Sequence, residues 1–206
     1  MHPNPAFRTT TQNGNLQFAR ERGFGQLTVA KDGLPLVAHV PFALTDSGDA
    51  ADLHLVRSNP VARALTEPTP ALIAISGPDS YISPDWYGID DQVPTWNYVA
   101  VHLRGTLIPL PQEDLRKSLD RLSLAFEARL EPKPAWTAAK MPADLLDRLM
   151  RSIRPFRFEI ETVDGTWKLT QNKVPEARMA AADHVDAYGI GQETRLLAAL
   201  MRGASE

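Results

Sequence analysis

The chain contains no cysteine in its 206 residues. That excludes disulfides, thiolate metal centres and cysteine nucleophiles together, and it suits a reducing compartment. Basic charge is not in excess either. Twenty-two Lys and Arg against 25 Asp and Glu give a formal net charge of −3. This excludes a protein dominated by phosphate-backbone binding and leaves room only for a local basic patch. No apolar run approaches the roughly 18 residues a bilayer span requires. The opening Met1-His2-Pro3-Asn4-Pro5 lacks the basic-then-apolar order of a signal peptide. The expectation is a soluble, cytoplasmic protein with no membrane association. Catalytic signatures are also scarce. His39, His54, His102 and His184 lack metal-ligand spacing, so no metal site is expected. Ser76-Gly77 forms no nucleophile elbow, and Gly23-Phe24-Gly25 lacks the third glycine of a dinucleotide loop.

What is present is ordinary globular material. Hydrophobic residues make up 43% of the chain, enough for one domain spanning residues 1–206 with a real core. Seventeen prolines divide the chain into short elements. A helix is predicted over Asn13–Arg22 and strands over Gly25–Ala30 and Leu34–Leu44, joined by an Asp32-Gly33 hairpin turn. Further strands are predicted at Leu53–Val56 and at Ala71–Ser76, with Tyr81–Ser83 as its continuation after Gly77-Pro78, and the longest at Trp96–Leu110. Gln112–Leu130 and Pro142–Ile153 read as a helical insertion, about 112–153. Phe156–Glu161 and Thr166–Thr170 read as a second hairpin around Asp164-Gly165. Helices at Glu176–Tyr188 and Gln192–Arg202 form a tail, about 175–203. The count favours a mainly β, α+β fold: a six-stranded antiparallel Greek-key barrel, closed or partly closed.

Three segments concentrate groups that hold ligands. Around Val93–His102 the strand alternation puts Val99, Val101 and Leu103 on one face and Trp96, Tyr98, Ala100 and His102 on the other. With Asn97 beside it, this decorated face serves either a flat, polar-edged ligand or a dimer interface. Leu53–Pro60 delivers His54 and Arg57 at a strand end before a helix start, where Ser58 and Asn59 either cap the helix or help hold a phosphate. Lys168, Gln171 and Asn172 close a strand with cationic and amide groups, which either meet a ligand or face solvent. The tail helices, broken by Gly189-Ile190-Gly191, also have the outline of a helix-turn-helix. Gln192, Arg195 and Arg202 share their helix with Glu193 and a packing face of leucines, so direct DNA reading is not the favoured role.

At these residues the chain resembles the PaiB-like family of FMN-binding negative transcriptional regulators. The resemblance runs through Met1–Phe7, His39-Val40-Pro41-Phe42, His54–Pro60, Gly77–Tyr87, Val93–Tyr98 and Lys168–Asn172. His2 stands where the family usually has tyrosine, Val56 replaces an alanine, and Thr170 occupies a position that is often serine. The resemblance implies a split β-barrel, normally a homodimer with FMN between subunits. It further implies a cofactor pocket drawn from His39, His54, Arg57, Ser58, Asn59, Tyr81, Ser83, Trp96, Asn97, Tyr98, Lys168, Gln171 and Asn172. Cationic members would meet the phosphate, amides the O2/N3/O4 edge of the ring, and Tyr81, Trp86, Trp96 or Tyr98 its apolar face.

Function beyond FMN is read in three ways. The resemblance implies a negative regulator of transcription acting through a protein partner or through redox state. A flavin-dependent oxidoreductase is the alternative, since flavin carries its own chemistry and requires little acid–base help. Haem binding, with His39, His54 or His102 as axial ligand, ranks third.

Overall fold

The computed structural model describes residues 1–204. Its strands are β1 (Phe24–Lys31), β2 (Leu34–Leu44), β3 (Ala50–Val56), β4 (Thr69–Ile82), β5 (Thr95–Pro109) and β6 (Ile153–Lys168). The helices are α1 (Gln12–Arg22), α2 (Pro60–Ala64), α3 (Leu115–Glu127), α4 (Ala143–Met150), α5 (Pro175–Tyr188) and α6 (Thr194–Gly203). The six strands close a barrel in the order β1-β2-β3-β6-β5-β4. Chain order breaks at β3, whose neighbours are β2 and β6. The chain leaves β3 through α2 and returns as β4, antiparallel to β1. The expected antiparallel split barrel with a helical insertion and a helical tail is therefore the fold of this protein.

Two compact units divide the chain. One comprises Leu16–Ala74 and Leu103–Val163; the other comprises Met1–Asn15, Ile75–His102 and the chain from Asp164 onward. In the first, β1 and β2 are joined by a tight turn with Asp32 at φ 52° and Gly33 at φ 79°. Asp and Gly tolerate those left-handed angles, and such turns match the twist of paired strands. The turn sets Leu27 opposite Ala38 and Val29 opposite Leu36. Leu27, Val29, Val40, Phe42, Leu53, Leu103, Leu107, Phe156 and Phe158 are then buried at alternate strand positions and make this unit's core. The insertion adds α3, which buries Leu115 and Leu122.

The second unit buries Ile75, Ile82, Val99 and Val101 from the strands. Ala181, Ala182 and Val185 of α5 and Leu197, Ala198 and Met201 of α6 complete its core. Between these helices, Ile190 and Gln192 accept backbone N–H bonds from Tyr81 and Asp79 at 2.9 and 3.0 Å, so the interhelical segment runs beside the end of β4.

One expected element is different. Phe156–Glu161 and Thr166–Thr170 do not form a hairpin, because β6 runs unbroken from Ile153 to Lys168. Gly165 is there for closeness and not for turning: a Cβ would lie 2.0 Å from the Asn15 amide oxygen. That oxygen accepts the Trp167 indole N–H at 2.8 Å. By contrast, the expected continuation of Ala71–Ser76 past Gly77-Pro78 is there: β4 runs as one strand to Ile82.

A pH dependence follows from β3. His54 sits opposite Pro155, and burial pushes its imidazole below the ordinary value of 6.5. Its unfolded form binds a proton more readily than its folded form. Stability therefore falls as pH drops through the unfolded value toward the lower folded one. Urea denaturation at about pH 7.5 and about pH 5.5 is expected to show this loss, and His54→Gln to reduce it.

Candidate functional site

Strand alternation decides the fate of the decorated segment on β5. Trp96 is 42% exposed, Tyr98, Ala100 and His102 are half-buried, and Val99, Val101 and Leu103 are buried. Asn97 belongs to the buried face, at 1% exposure, and not with the aromatics. Its amide donates to the Thr170 hydroxyl at 2.7 Å. Thr170 is itself buried and adopts φ 66°, a left-handed conformation that a β-branched side chain rarely takes. Strain of this sort persists where surrounding contacts over-determine it, and it gathers at functional sites. Thr170→Ser keeps the hydroxyl and removes the branch, so it is expected to be neutral to about 1 kcal/mol stabilising, whereas Thr170→Val costs about 1–3 kcal/mol. Urea midpoints of the two variants check this.

Asn97 and Thr170 form part of the wall of a cavity of about 200 Å³. Three stretches distant in sequence build the cavity: the N-terminal arm, Gln92–Asn97 and Lys168–Lys173. The arm is pinned in place. The His2 backbone N–H donates to Thr166 Oγ1 at 3.1 Å, Asn4 Oδ1 accepts from the Ala6 N–H at 3.0 Å, and Gln171 Nε2 donates to the Ala6 carbonyl at 2.9 Å. Gln171 also donates to the Trp167 carbonyl and accepts from the Leu169 N–H. Its amide thus fastens the turn and the arm to one another.

Two ammonium groups line this cavity. Lys168 donates to Thr95 Oγ1 and lies 5.8 Å from the centre of the Phe7 ring. Lys173 donates to Gln92 Oε1 and lies 4.6 Å from the centre of the Tyr87 ring. Among the described residues, no carboxylate lines the cavity. Asp85, Asp90 and Asp91 line a neighbouring depression that shares Gln92. Burial lowers the Lys168 pKa, and the charge of Lys173 adds to the effect. Burial raises the Tyr87 phenol, partly offset by its hydrogen bond with Thr170.

Of the expected site residues, Asn97, Lys168 and Asn172 meet at this cavity. Tyr81 and Trp96 meet nearby in the same unit, their ring centres 6.3 Å apart, and Trp86 lies 6.4 Å from Tyr81 on its other side. The Trp96 indole donates to Asp79 at 3.2 Å. Ser83 precedes the 3-10 turn Pro84–Tyr87 without capping it, and Tyr98 stays on the half-buried face of β5. The other unit holds His39, exposed and stacked on Phe24 at 6.4 Å, together with His54, Arg57, Ser58 and Asn59. Arg57 donates to the Arg151 carbonyl and to Gln112, at 2.7 and 2.5 Å. Asn59 caps α2 by accepting from the Val61 N–H at 2.9 Å.

Sequence reasoning missed Lys173, Thr95, Gln92 and Tyr87. Lys173 directly follows the Lys168–Asn172 motif, and a second cation at the end of a motif turn was the available signal. A larger cavity of about 840 Å³ lies in the unit containing α3. It is walled by Arg20, Phe42, Asp52, Arg121, Phe126 and Arg157, among others, and none of these was expected in a site.

Among known proteins, residues 1–162 match a family model described as "Putative FMN-binding domain". The Lys168–Asn172 motif lies beyond the matched stretch. The chain is 28% identical over 169 residues to protease synthase and sporulation protein PAI 2 of Bacillus subtilis, covering 81% of this chain and 80% of that protein. In fold it is similar to an FAD and heme binding protein from Mycobacterium smegmatis, with a TM-score of 0.57 at 18% identity, over 79% of this chain and 73% of that one. A flavocytochrome from Azotobacter vinelandii matches with a TM-score of 0.54 at 13% identity, over 81% of this chain and 72% of that one.

Proposed function

The chain belongs to this family of FMN-binding domains, and from that premise we propose that it is a cytoplasmic homodimer that binds FMN between its subunits and links flavin state to the regulation of transcription through a protein partner. FMN is its cofactor. The observation that carries the reading is the cluster of Tyr81, Trp86 and Trp96, with Trp96 half open to solvent. The rings meet edge to face, at 75° and 64°, and a partly exposed indole among them offers the apolar contact that a tricyclic ring requires. Arg57, with the Ser58 hydroxyl, offers the phosphate a guanidinium and a neutral donor. Trp96 and Tyr81 offer the ring its apolar contact, and Asn172 a polar edge. Bound flavin supplies one- and two-electron chemistry, and these residues hold and shield it.

The dimer rests on the outward face of β1 and β2. Phe24 and Val37 are 53% and 55% exposed there, and Leu34 at the turn is 68% exposed. Exposed apolar strands of this kind call for a cover. Val37→Lys is expected to shift the protein from dimer to monomer in light scattering, and a monomeric wild type would overturn the dimer.

The absorbance spectrum of the purified protein, followed by titration with FMN, tests the cofactor reading. Flavin bands and quenched flavin fluorescence are expected. A colourless protein that fails to bind FMN at tens of micromolar sinks it. A mobility shift with operator-sized DNA tests direct regulation, because purely electrostatic binding collapses as salt rises. The second reading, a flavin-dependent oxidoreductase, is favoured by the partly exposed Trp96 indole, beside which a second substrate could reach bound flavin. Rapid bleaching of bound flavin by NADH or NADPH would support it.

A further inference from the structure

The lysine-lined cavity is too small to enclose a flavin on its own. At about 200 Å³ it falls below the roughly 300–1,000 Å³ of pockets that enclose drug-sized ligands. We propose that it is a site for a small free oxyanion, a carboxylate- or phosphate-bearing ligand bound separately from FMN. The inference does not depend on flavin binding, since the lysines and their surroundings belong to the chain with or without it.

The chemistry is that of an incomplete ion pair. Each ammonium has three N–H donors. Lys168 spends one on Thr95 and Lys173 one on Gln92. Phe7 and Tyr87 stand against the two ammoniums and hold them by cation–π attraction, which positions a cation without neutralising it. Two like charges line one cavity with no carboxylate among the described residues, and they repel each other; burial of Lys168 and the charge of Lys173 lower the Lys168 pKa. An oxyanion between them would remove both penalties at once. The lining amide of Asn172 provides a neutral donor, with carbonyl and amide both on hand for an organic acid.

The walls are rigid in a way that favours a ligand over a merely solvated patch. The arm carrying Phe7 is tied down through His2, Asn4 and Gln171, and the turn carrying Lys173 begins at the strained, buried Thr170. Lysines on mobile surface side chains must be ordered before they bind, whereas these are already in place, which strengthens binding.

The test titrates inorganic phosphate and acetate, separately, into wild-type, Lys173→Met and Lys173→Arg proteins. Each is examined with and without saturating FMN, by amide NMR shifts at Thr95 and Lys173 and by thermal melting. FMN affinity is measured in parallel by flavin fluorescence. Saturable binding of at least one anion to the FMN-loaded wild type is expected, weakened at least tenfold in Lys173→Met and retained in Lys173→Arg, with FMN affinity within about twofold throughout. Anion binding seen only without FMN and abolished competitively by FMN would assign the cavity to the flavin phosphate. That result would overturn the proposal and leave the cofactor reading intact. Failure of both anions to bind in either state would also overturn it. A protein that binds no FMN but shows the Lys173-dependent anion response would sink the cofactor reading and uphold this one.

Discussion

Gly105→Ala is expected to abolish or nearly abolish folding. Gly105 lies buried in β5, where a Cβ would come 1.8 Å from the Glu159 carbonyl oxygen of β6 and 3.2 Å from the Glu161 nitrogen. Both obstacles are backbone, so no side-chain rotation relieves them and the strands must part. Close by, Thr106 Oγ1 of β5 donates to the Glu161 carboxylate of β6 at 2.9 Å, and the N–H of Leu110, just past β5, donates to the Pro155 carbonyl at 3.0 Å. Parting the strands sacrifices such bonds and unseats the core around Leu103, Leu107 and Phe158. A cost above about 4 kcal/mol is expected, in a class of substitutions that ordinarily cost 0.5–3 kcal/mol. Total stabilities are only about 5–15 kcal/mol. The soluble fraction on expression and the melting temperature measure it, with a fall of roughly 10 °C or more in any soluble remainder. Gly203→Ala is the control: nothing lies within 4 Å of its added Cβ, and it should be close to neutral. A Gly105→Ala protein that melts with the wild type would show that β5 and β6 can separate freely at this point.

Local signals in the sequence were legible where the chemistry is local. Asp32-Gly33 fixes a hairpin because both central residues need positive φ, and those two residues supply it at little cost. The leucine spacing of the insertion read correctly as α3 because that helix docks one face and exposes the other. Asp164-Gly165 carried the same turn chemistry and misled. There the glycine answers to Asn15, far away in sequence, and a close approach of that sort leaves no local trace. Asn97 misled for a related reason. Alternation places it opposite Trp96, but its neighbours in the motif are aromatic, and the buried hydroxyl that satisfies its amide comes from Thr170. The motif stretches were each readable as ligand-holding. Their meeting at one cavity, and the part played by Lys173 and Tyr87, depends on how β5 and β6 carry distant residues together. Arg57 was readable as a cation at a strand end, but not its engagement with Gln112 and Arg151, which the insertion supplies.

Asp52 yields the second large effect, and its sign depends on which partner is removed. The carboxylate is 3% exposed and is bound by Arg121 of α3 at 2.5 Å and Arg157 of β6 at 2.9 Å, whose side chains are 40% and 35% exposed. Asp52→Ala leaves two guanidiniums that water can reach, so its cost should stay near about 1–3 kcal/mol. The double variant Arg121→Met with Arg157→Met leaves a buried carboxylate with no cation, and about 3–5 kcal/mol is expected. Adding Asp52→Leu to that double variant removes the stranded charge and should restore most of the loss, since apolar replacement of a buried ion cluster is often neutral or better. Urea denaturation measures all three, and limited proteolysis within residues 112–153 should report release of the insertion in every variant that lacks Arg121. If Asp52→Ala proves costlier than the double arginine replacement, the cluster stabilises through net attraction. If the ranking holds, its strength lies in mutual neutralisation, and the contact serves to place α3 against β3 more than to stabilise the barrel.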